Sequence, residues 1–240
     1  MKVSVILPAA GLGTRMARSA PEKRGTSRKQ FMLLDGSPIL MHTIRRFAGC
    51  AAITEIVVAL RADDIVWVEE LLGKEKFAKP VRLVVGGDSR QHSVENAIAS
   101  LAPDTDMVAV HDAVRPFIDE GTIAKVVAEA EASGAAIVGI VPVDTVKQVH
   151  RNKIRGTLNR DRLVLAQTPQ VFRYGLLRQA FAKAREDGFT GTDESSLVER
   201  LEVEVSVVPG SDRNIKITKP SDMELARLFL DEESGGRKAS

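Results

Sequence analysis

Short apolar runs alternate with amphipathic segments from residue 2 to residue 141, and this alternation limits the fold more than any other feature. The runs 2–7, 55–60, 81–85, 106–110 and 136–141 read as strands, and 38–48, 62–72, 89–101 and 119–133 as helices. The strand runs are almost wholly apolar, as strands buried on both faces must be. In the segment 119–133, Ile123, Val126, Val127 and Ala130 recur at helical spacing and make one buried face, with Gly134 as the stop. Such a chain folds as an α/β domain: a mostly parallel, Rossmann-like sheet with helices on both faces. Ligands of such sheets sit at the C-terminal ends of the strands.

The alternation breaks after Pro142. Residues 143–162 are polar and alternating, centred on Arg151, Asn152 and Lys153 as a turn, and read as a projecting β-arm. Its Val143, Val146, Val149, Ile154 and Leu158 need cover, which packing on another subunit would supply. Beyond the arm, 167–172 is extended around Pro169. Helices are expected at 175–186 and 193–201, a strand at 203–208, and a last helix near Pro220 with capping-box spacing from Ser221 to Glu224. The polar tail 233–240 is expected to fray. The simplest organisation is one domain, 1–240, carrying the arm.

Bulk properties exclude several classes. A net charge of +2 over 240 residues is too balanced for a surface that coats nucleic acid. The first apolar run ends at Pro8, too short for a signal-peptide core, and no segment approaches a membrane span. Cys50 is the only cysteine, which fits a reducing, cytoplasmic setting, and the four histidines show no zinc spacing.

The chemistry concentrates at the strand ends. The first strand empties into Pro8-Ala9-Ala10-Gly11-Leu12-Gly13-Thr14-Arg15-Met16, and Lys29-Gln30-Phe31 follows. Without a Cβ in the way, phosphate oxygens can approach the N–H groups of such a loop, and Arg15 and Lys29 add positive charge beside it. The loop lacks the G-K-[S/T] of a Walker A motif, and Met16 stands where a dinucleotide fingerprint has its third glycine. A cradle for a nucleoside triphosphate is the reading that fits. Gly86-Gly87-Asp88 follows the strand 81–85. Asp88 there is a candidate cap for the next helix, and Ser93 with the backbone could read a flat base; a plain strand-to-helix turn is the alternative. Asp112, after the strand 106–110, is a candidate Mg²⁺ ligand or a turn residue. His111 reads as structural, and Arg115 as a partner of Asp112 or of a helix end. Taken alone, Lys216 is an ordinary strand lysine, and Thr192-Asp193-Glu194 a helix start.

Taken in order, these motifs, with Pro142-Val143-Asp144-Thr145-Val146-Lys147, Thr168-Pro169-Gln170 and Asn214-Ile215-Lys216-Ile217-Thr218, resemble the 2-C-methyl-D-erythritol 4-phosphate cytidylyltransferases from residue 3 to about 230. The resemblance implies a nucleotidyltransferase fold and a cytoplasmic enzyme of isoprenoid biosynthesis. Its reaction joins CTP to a polyol phosphate and releases pyrophosphate, with Mg²⁺. It implies Arg15, Lys29, Arg160 and Lys216 as catalytic residues, the first two stabilising the pentavalent α-phosphorus. The nucleotide falls to Pro8, Ala9, Ala10, Gly11, Gly13, Gly87, Asp88 and Ser93. The acceptor, and a metal at Asp112, fall to Asp112, Arg115, Thr145, Arg160 and Lys216. It also implies a homodimer whose arm reaches the neighbour's site, and no nucleic-acid or membrane partner.

One departure stands out. Residues 17–28 look inserted, so Lys23, Arg24 and Arg28 compete with Lys29 as phosphate ligands; Lys29 keeps the Lys-Gln-aromatic context. Other readings are a ribitol 5-phosphate cytidylyltransferase, a sugar-nucleotide pyrophosphorylase, and a non-catalytic nucleotide-binding regulator.

Overall fold

The structure is a computed structural model that describes residues 1–11 and 28–238, the side chains of 236–238 excepted. The chain runs through β1 (Val3–Pro8), a 3₁₀ turn at Lys29–Phe31, β2 (Leu33–Leu34), β3 (Ser37–Pro38), α1 (Ile39–Gly49), β4 (Glu55–Leu60), α2 (Ala62–Leu72), β5 (Val81–Val85), α3 (Arg90–Ala99) and β6 (Met107–Val110). Then come α4 (Glu120–Ser133), β7 (Ala135–Ile140), β8 (Lys147–His150), β9 (Lys153–Thr157), a 3₁₀ turn at Arg160–Arg162, β10 (Leu165–Arg173) and α5 (Tyr174–Glu186). After α6 (Ser195–Val198), a 3₁₀ turn, Glu199–Leu201, leads to β11 (Ser206–Pro209) and α7 (Pro220–Lys238).

Seven strands form one sheet in the order β11-β7-β10-β6-β1-β4-β5. β1 pairs parallel with β6 on one side and β4 on the other, and β4 pairs parallel with β5. Successive strands therefore wind away from β1 in two directions, which makes its C-terminal end a topological switch point, where ligands of doubly wound sheets bind. β10 is antiparallel to both β6 and β7, and its register with β7 shifts between Ala166 and Gln170. Pro169 lies within that break; having no N–H, it cannot contribute to a ladder.

The central strands are buried on both sides. Val3, Val5 and Leu7 of β1 join Ile56, Val58 and Leu60 of β4 in a core with residues of α1, α2 and α4. Ile6, Val57 and Ala59 point the other way, into a core with α3, α5 and α6. Val3, Val5, Ile6 and Leu7 are fully buried. At about 1.5–3 kcal/mol for each such side chain, β1 is a firm root for the loop that follows it. A third cluster docks α7 through Met223 and Ala226 onto Leu34, Ile39, Val114 and Ile217. Gly134 caps α4 in the left-handed region at φ 97°, where glycine alone carries no Cβ penalty.

Among the described residues, β8 and β9 pair only with each other. Their turn residues Arg151 (φ 47°) and Asn152 (φ 60°) are both left-handed, which suits the primed turn of a twisted two-residue hairpin. Val143, Val149, Ile154 and Leu158 are exposed. The last helix differs from expectation in two respects. The tail expected to fray from Glu233 is helical through Lys238, and Glu233 pairs with Arg46 of α1. The start of α7 is held not by a Ser221–Glu224 box but by Asp222, whose carboxylate accepts from Thr218 N–H at 2.7 Å and Lys219 N–H at 2.8 Å.

Candidate active site

A cavity of about 700 Å³ opens at the switch point. Its walls are the C-terminal ends of β1, β4, β5 and β6, with Lys29, Gln30 and Lys216 arriving from elsewhere in the chain. Four of the nucleotide residues expected from the sequence line it at the exit of β1: Pro8, Ala9, Ala10 and Gly11. Gly87, Asp88 and Ser93 line the facing wall after β5. Gly13 and Arg15 lie outside the described residues, as do Lys23 and Arg24.

The glycines after β5 exist for packing as much as for access. A Cβ on Gly86 would stand 2.7 Å from the Ala10 Cβ, and one on Gly87 would strike the His92 ring. The Ser93 hydroxyl, expected to read a base, also ties this loop together. It accepts from Gly87 N–H at 3.1 Å and lies 2.8 Å from the Ser89 carbonyl, to which it donates. The cap of α3 is Ser89, which accepts from His92 N–H at 3.0 Å, and not Asp88, which stays exposed at the cavity.

Opposite, Gln30 is buried, and its side-chain amide donates to the carbonyls of Ala9 at 2.7 Å and Gly11 at 3.0 Å. In a trans peptide the C=O and the next N–H point in opposite directions, so fixing the Ala9 carbonyl also fixes the Ala10 N–H. Gln30 therefore sets the cradle. The competition among basic residues before Lys29 resolves in part. Arg28 forms a bidentate pair with the buried Asp64 and lies over the Phe31 ring at 5.2 Å. It is committed to the core beside Trp67, whereas Lys29 lines the cavity.

The β6 wall is a charge cluster. Asp112 is buried, with Arg90 Nε 3.1 Å from Oδ1 and with Lys216 Nζ 2.8 Å and Arg115 Nε 3.5 Å from Oδ2. Burial alone would raise its pKa; the charges of Arg90 and Lys216, with that of Arg115, overcome this and hold it well below the usual carboxylate range. Lys216 is delivered by its neighbour Ile217, fully buried, whose N–H bonds the Val114 carbonyl at 3.0 Å. Arg115 is turned away from the cavity and donates to the Asn214 carbonyl at 2.6 Å, so it acts in this chain as a strut.

His111 underlies this wall. One ring nitrogen, Nε2, faces the Arg115 carbonyl at 3.0 Å and must donate. The other, Nδ1, then accepts from the Thr168 hydroxyl at 3.0 Å, whose oxygen accepts from Asp112 N–H at 3.1 Å. Burial pushes the His111 pKa down to about 4, so the ring is neutral, as this chain of bonds demands.

A metal at Asp112 does not fit these partners. Three cationic groups already face its oxygens, and a carboxylate offers about four lone pairs. Among the described residues no group of three or more His, Cys, Asp or Glu side chains is arranged for a metal ion. Asp112 is here the anion around which Arg90, Arg115 and Lys216 gather.

Two expected acceptor residues are not brought into this cavity by their own chain. Thr145 and Arg160 sit exposed at the base of the arm, where Arg160 donates to the Val143 carbonyl. The sequence reading missed Arg61, at the C-terminal end of β4 on the cavity wall, and Arg90. Position at a strand end was a usable signal for Arg61; for Arg90, which opens a helix, no local signal existed.

A doubly wound sheet with a glycine-rich cradle and two lysines at its switch point is of the nucleotidyltransferase class. The family of 2-C-methyl-D-erythritol 4-phosphate cytidylyltransferases matches residues 3–232, and the chain belongs to it. The Solibacter usitatus member is 66% identical over 238 residues, 98% of each chain, and the Acidobacterium capsulatum member 52% identical over 98% of this chain and 99% of its own. Among solved structures, the 4-diphosphocytidyl-2C-methyl-D-erythritol synthase of Anaerococcus prevotii superposes with a TM-score of 0.83 at 30% identity, covering 96% of this chain and 98% of that one. The cytidylyltransferase of Thermus thermophilus gives 0.75 at 32%, covering 95% and 98%. Among the described residues no helix is long and apolar enough to cross a membrane.

Proposed function

We propose that this enzyme joins CTP to 2-C-methyl-D-erythritol 4-phosphate. A phosphate oxygen of the acceptor attacks the α-phosphorus, the bond from that phosphorus to the β-bridging oxygen breaks, and pyrophosphate leaves. The observation that carries the reading is the pairing of a cradle at Ala9–Gly11 with lysines from two other segments, Lys29 and Lys216, on one cavity. The nucleophile is an anion at neutral pH, so no general base is needed. The obstacle is the meeting of two anions, which fixed positive charge and orientation overcome. Backbone groups of Ala10, Gly86 and Gly87 suit a small pyrimidine held by its edge. Mg²⁺ would supply charge neutralisation bound to triphosphate oxygens, with the protein contributing little or nothing to its ligands.

The enzyme works as a twofold dimer in which each arm covers the other copy. The exposed Val143, Val149, Ile154 and Leu158 supply the motive. Thr145 and Arg160 then serve the acceptor phosphate of the opposite core. Pyrophosphate release with CTP is the test, against a panel of acceptors that includes ribitol 5-phosphate. Preference for methylerythritol phosphate is expected; preference for ribitol phosphate would overturn the acceptor but not the reaction type.

A further inference from the structure

Glu194 is almost wholly buried, about 1% exposed, in a segment that the catalytic reading leaves unused. Its two oxygens take both terminal nitrogens of Arg90, Nη1 at 2.7 Å and Nη2 at 3.0 Å. Arg90's third donor, Nε, faces Asp112 Oδ1 at 3.1 Å, and Asp112 faces Lys216 at 2.8 Å. The segment is itself fixed. The Gln170 side chain, from β10, accepts from the N–H groups of Glu194 at 3.1 Å and Ser195 at 2.9 Å and donates to Asp193 at 2.8 Å. A planar guanidinium gripped on two corners has one orientation left for the third.

We infer that Glu194 and Arg90 are positioning residues for the transfer step: Glu194 orients Arg90, Arg90 fixes Asp112, and Asp112 holds the Lys216 ammonium at the cavity. The inference rests on the proposed cytidylyl transfer. Glu194 touches no cavity space itself, whereas Arg90, Asp112 and Lys216 line it. The cluster also balances charge. With both carboxylates ionised, three cations (Arg90, Arg115 and Lys216) meet two anions (Asp112 and Glu194), a net charge of +1 beside the cavity. A loose Arg90 would let the Asp112–Lys216 pair shift, and a displacement of ~1 Å at a transfer centre is costly.

The test is Glu194→Gln, which keeps shape and removes the charge, read beside Arg90→Met and the double variant. For Glu194→Gln, kcat is expected to fall by roughly 10- to 100-fold with the KM for CTP within about threefold, because the cradle is untouched. The double variant should be no slower than Arg90→Met, because Glu194 acts through Arg90. Rates are taken where circular dichroism shows each protein folded. A merely structural role would lower the melting temperature and leave kcat per folded molecule unchanged, and that result overturns the inference. Losses that multiply in the double variant overturn it as well. Should Glu194→Gln not fold, Glu194→Asp, which keeps the charge and shortens its reach to Arg90, is read instead. A kcat lowered by about threefold or more in folded Glu194→Asp supports the inference, and a parental kcat refutes it. Absence of turnover in the parent would fail the cytidylyl-transfer reading itself; a normal rate in the variants beside an active parent fails only the positioning role.

Discussion

The β6 wall and the β8–β9 arm both carry residues expected to meet the acceptor, yet they are built in opposite ways. On the wall, Asp112, Arg90, Arg115 and Lys216 are held by one another and by buried backbone, and every partner comes from the same chain. On the arm, Thr145 and Arg160 are exposed and apolar side chains stand uncovered. The contrast teaches that a charge cluster can be finished within one chain while residues expected at the same site stand outside that chain's own cavity. The wall should then fail through stability and charge, and the arm through assembly.

Asp112→Asn should break the wall hardest. It leaves Arg90, Lys216 and Arg115 around a neutral amide, and stranding buried charge costs about 3–5 kcal/mol. Urea unfolding should show that loss, while Arg160→Ala on the arm leaves the monomer's unfolding free energy within about 0.5 kcal/mol. The Mg²⁺ concentration for half-maximal rate should not move in Asp112→Asn. A raised requirement would restore Asp112 as a metal ligand.

Lys29→Ala should lower kcat by roughly 10²–10³, the scale of one lost transition-state donor. Its neighbour Arg28→Ala should cost about 3 kcal/mol of stability, since Asp64 is left buried and unpaired, with kcat of the folded enzyme nearly intact. The reverse pattern would show that the basic residues had exchanged roles.

The acid limb of stability is the next test. A histidine held near pKa 4 in the fold and at 6.5 when unfolded binds its proton more readily in the unfolded chain. Its contribution is full above pH 6.5 and is lost as pH falls from 6.5 towards 4, about 3 kcal/mol in all. His111→Gln should flatten that part of the curve, measured by denaturant unfolding between pH 7 and pH 4. Arm variants should leave it unchanged. An unaltered slope in His111→Gln would assign the acid loss to other groups.

The two regions also differ in how much of them could be read from sequence. β4, β5 and α2 match their expected bounds because apolar runs and helical periodicity are local signals. The cradle was visible for the same reason, as glycines directly after a strand. The Glu194–Arg90 pair was not, because the two residues are 104 apart and no periodicity encodes that distance. Asp88 and Ser93 both line the cavity, but the cap of α3 expected at Asp88 is Ser89. Which of several hydroxyls and carboxylates caps a helix depends on backbone angles that residue identity does not fix. Asp112 was correctly put at a strand end, but its three cations come from α3, the loop after β6 and the segment before α7, and only folding shows that they leave little room for a metal. The arm was legible as a hairpin because it is short-range; what covers it is not written in the one chain.

Mixing two defective variants tests that last point. Lys29→Ala damages a core and Arg160→Ala damages an arm, and each homodimer should be nearly inactive. If the arm serves the opposite copy, a heterodimer holds one doubly damaged site and one intact site, the latter built from the Arg160→Ala core and the Lys29→Ala arm. Random exchange makes about half the dimers mixed, so about a quarter of all sites should recover. The recovered rate should saturate with time of exchange and peak at equal mixing, with heterodimer confirmed by mass. If the arm folds back on its own core, every site keeps one lesion and mixing restores nothing. Recovery would extend the contrast between wall and arm to function, because the residues that lie outside their own chain's cavity would be the ones that complete another. A flat result, with exchange proven, would make the exposed apolar residues of the arm an adhesive surface only, and the acceptor phosphate would then need its cation from the wall.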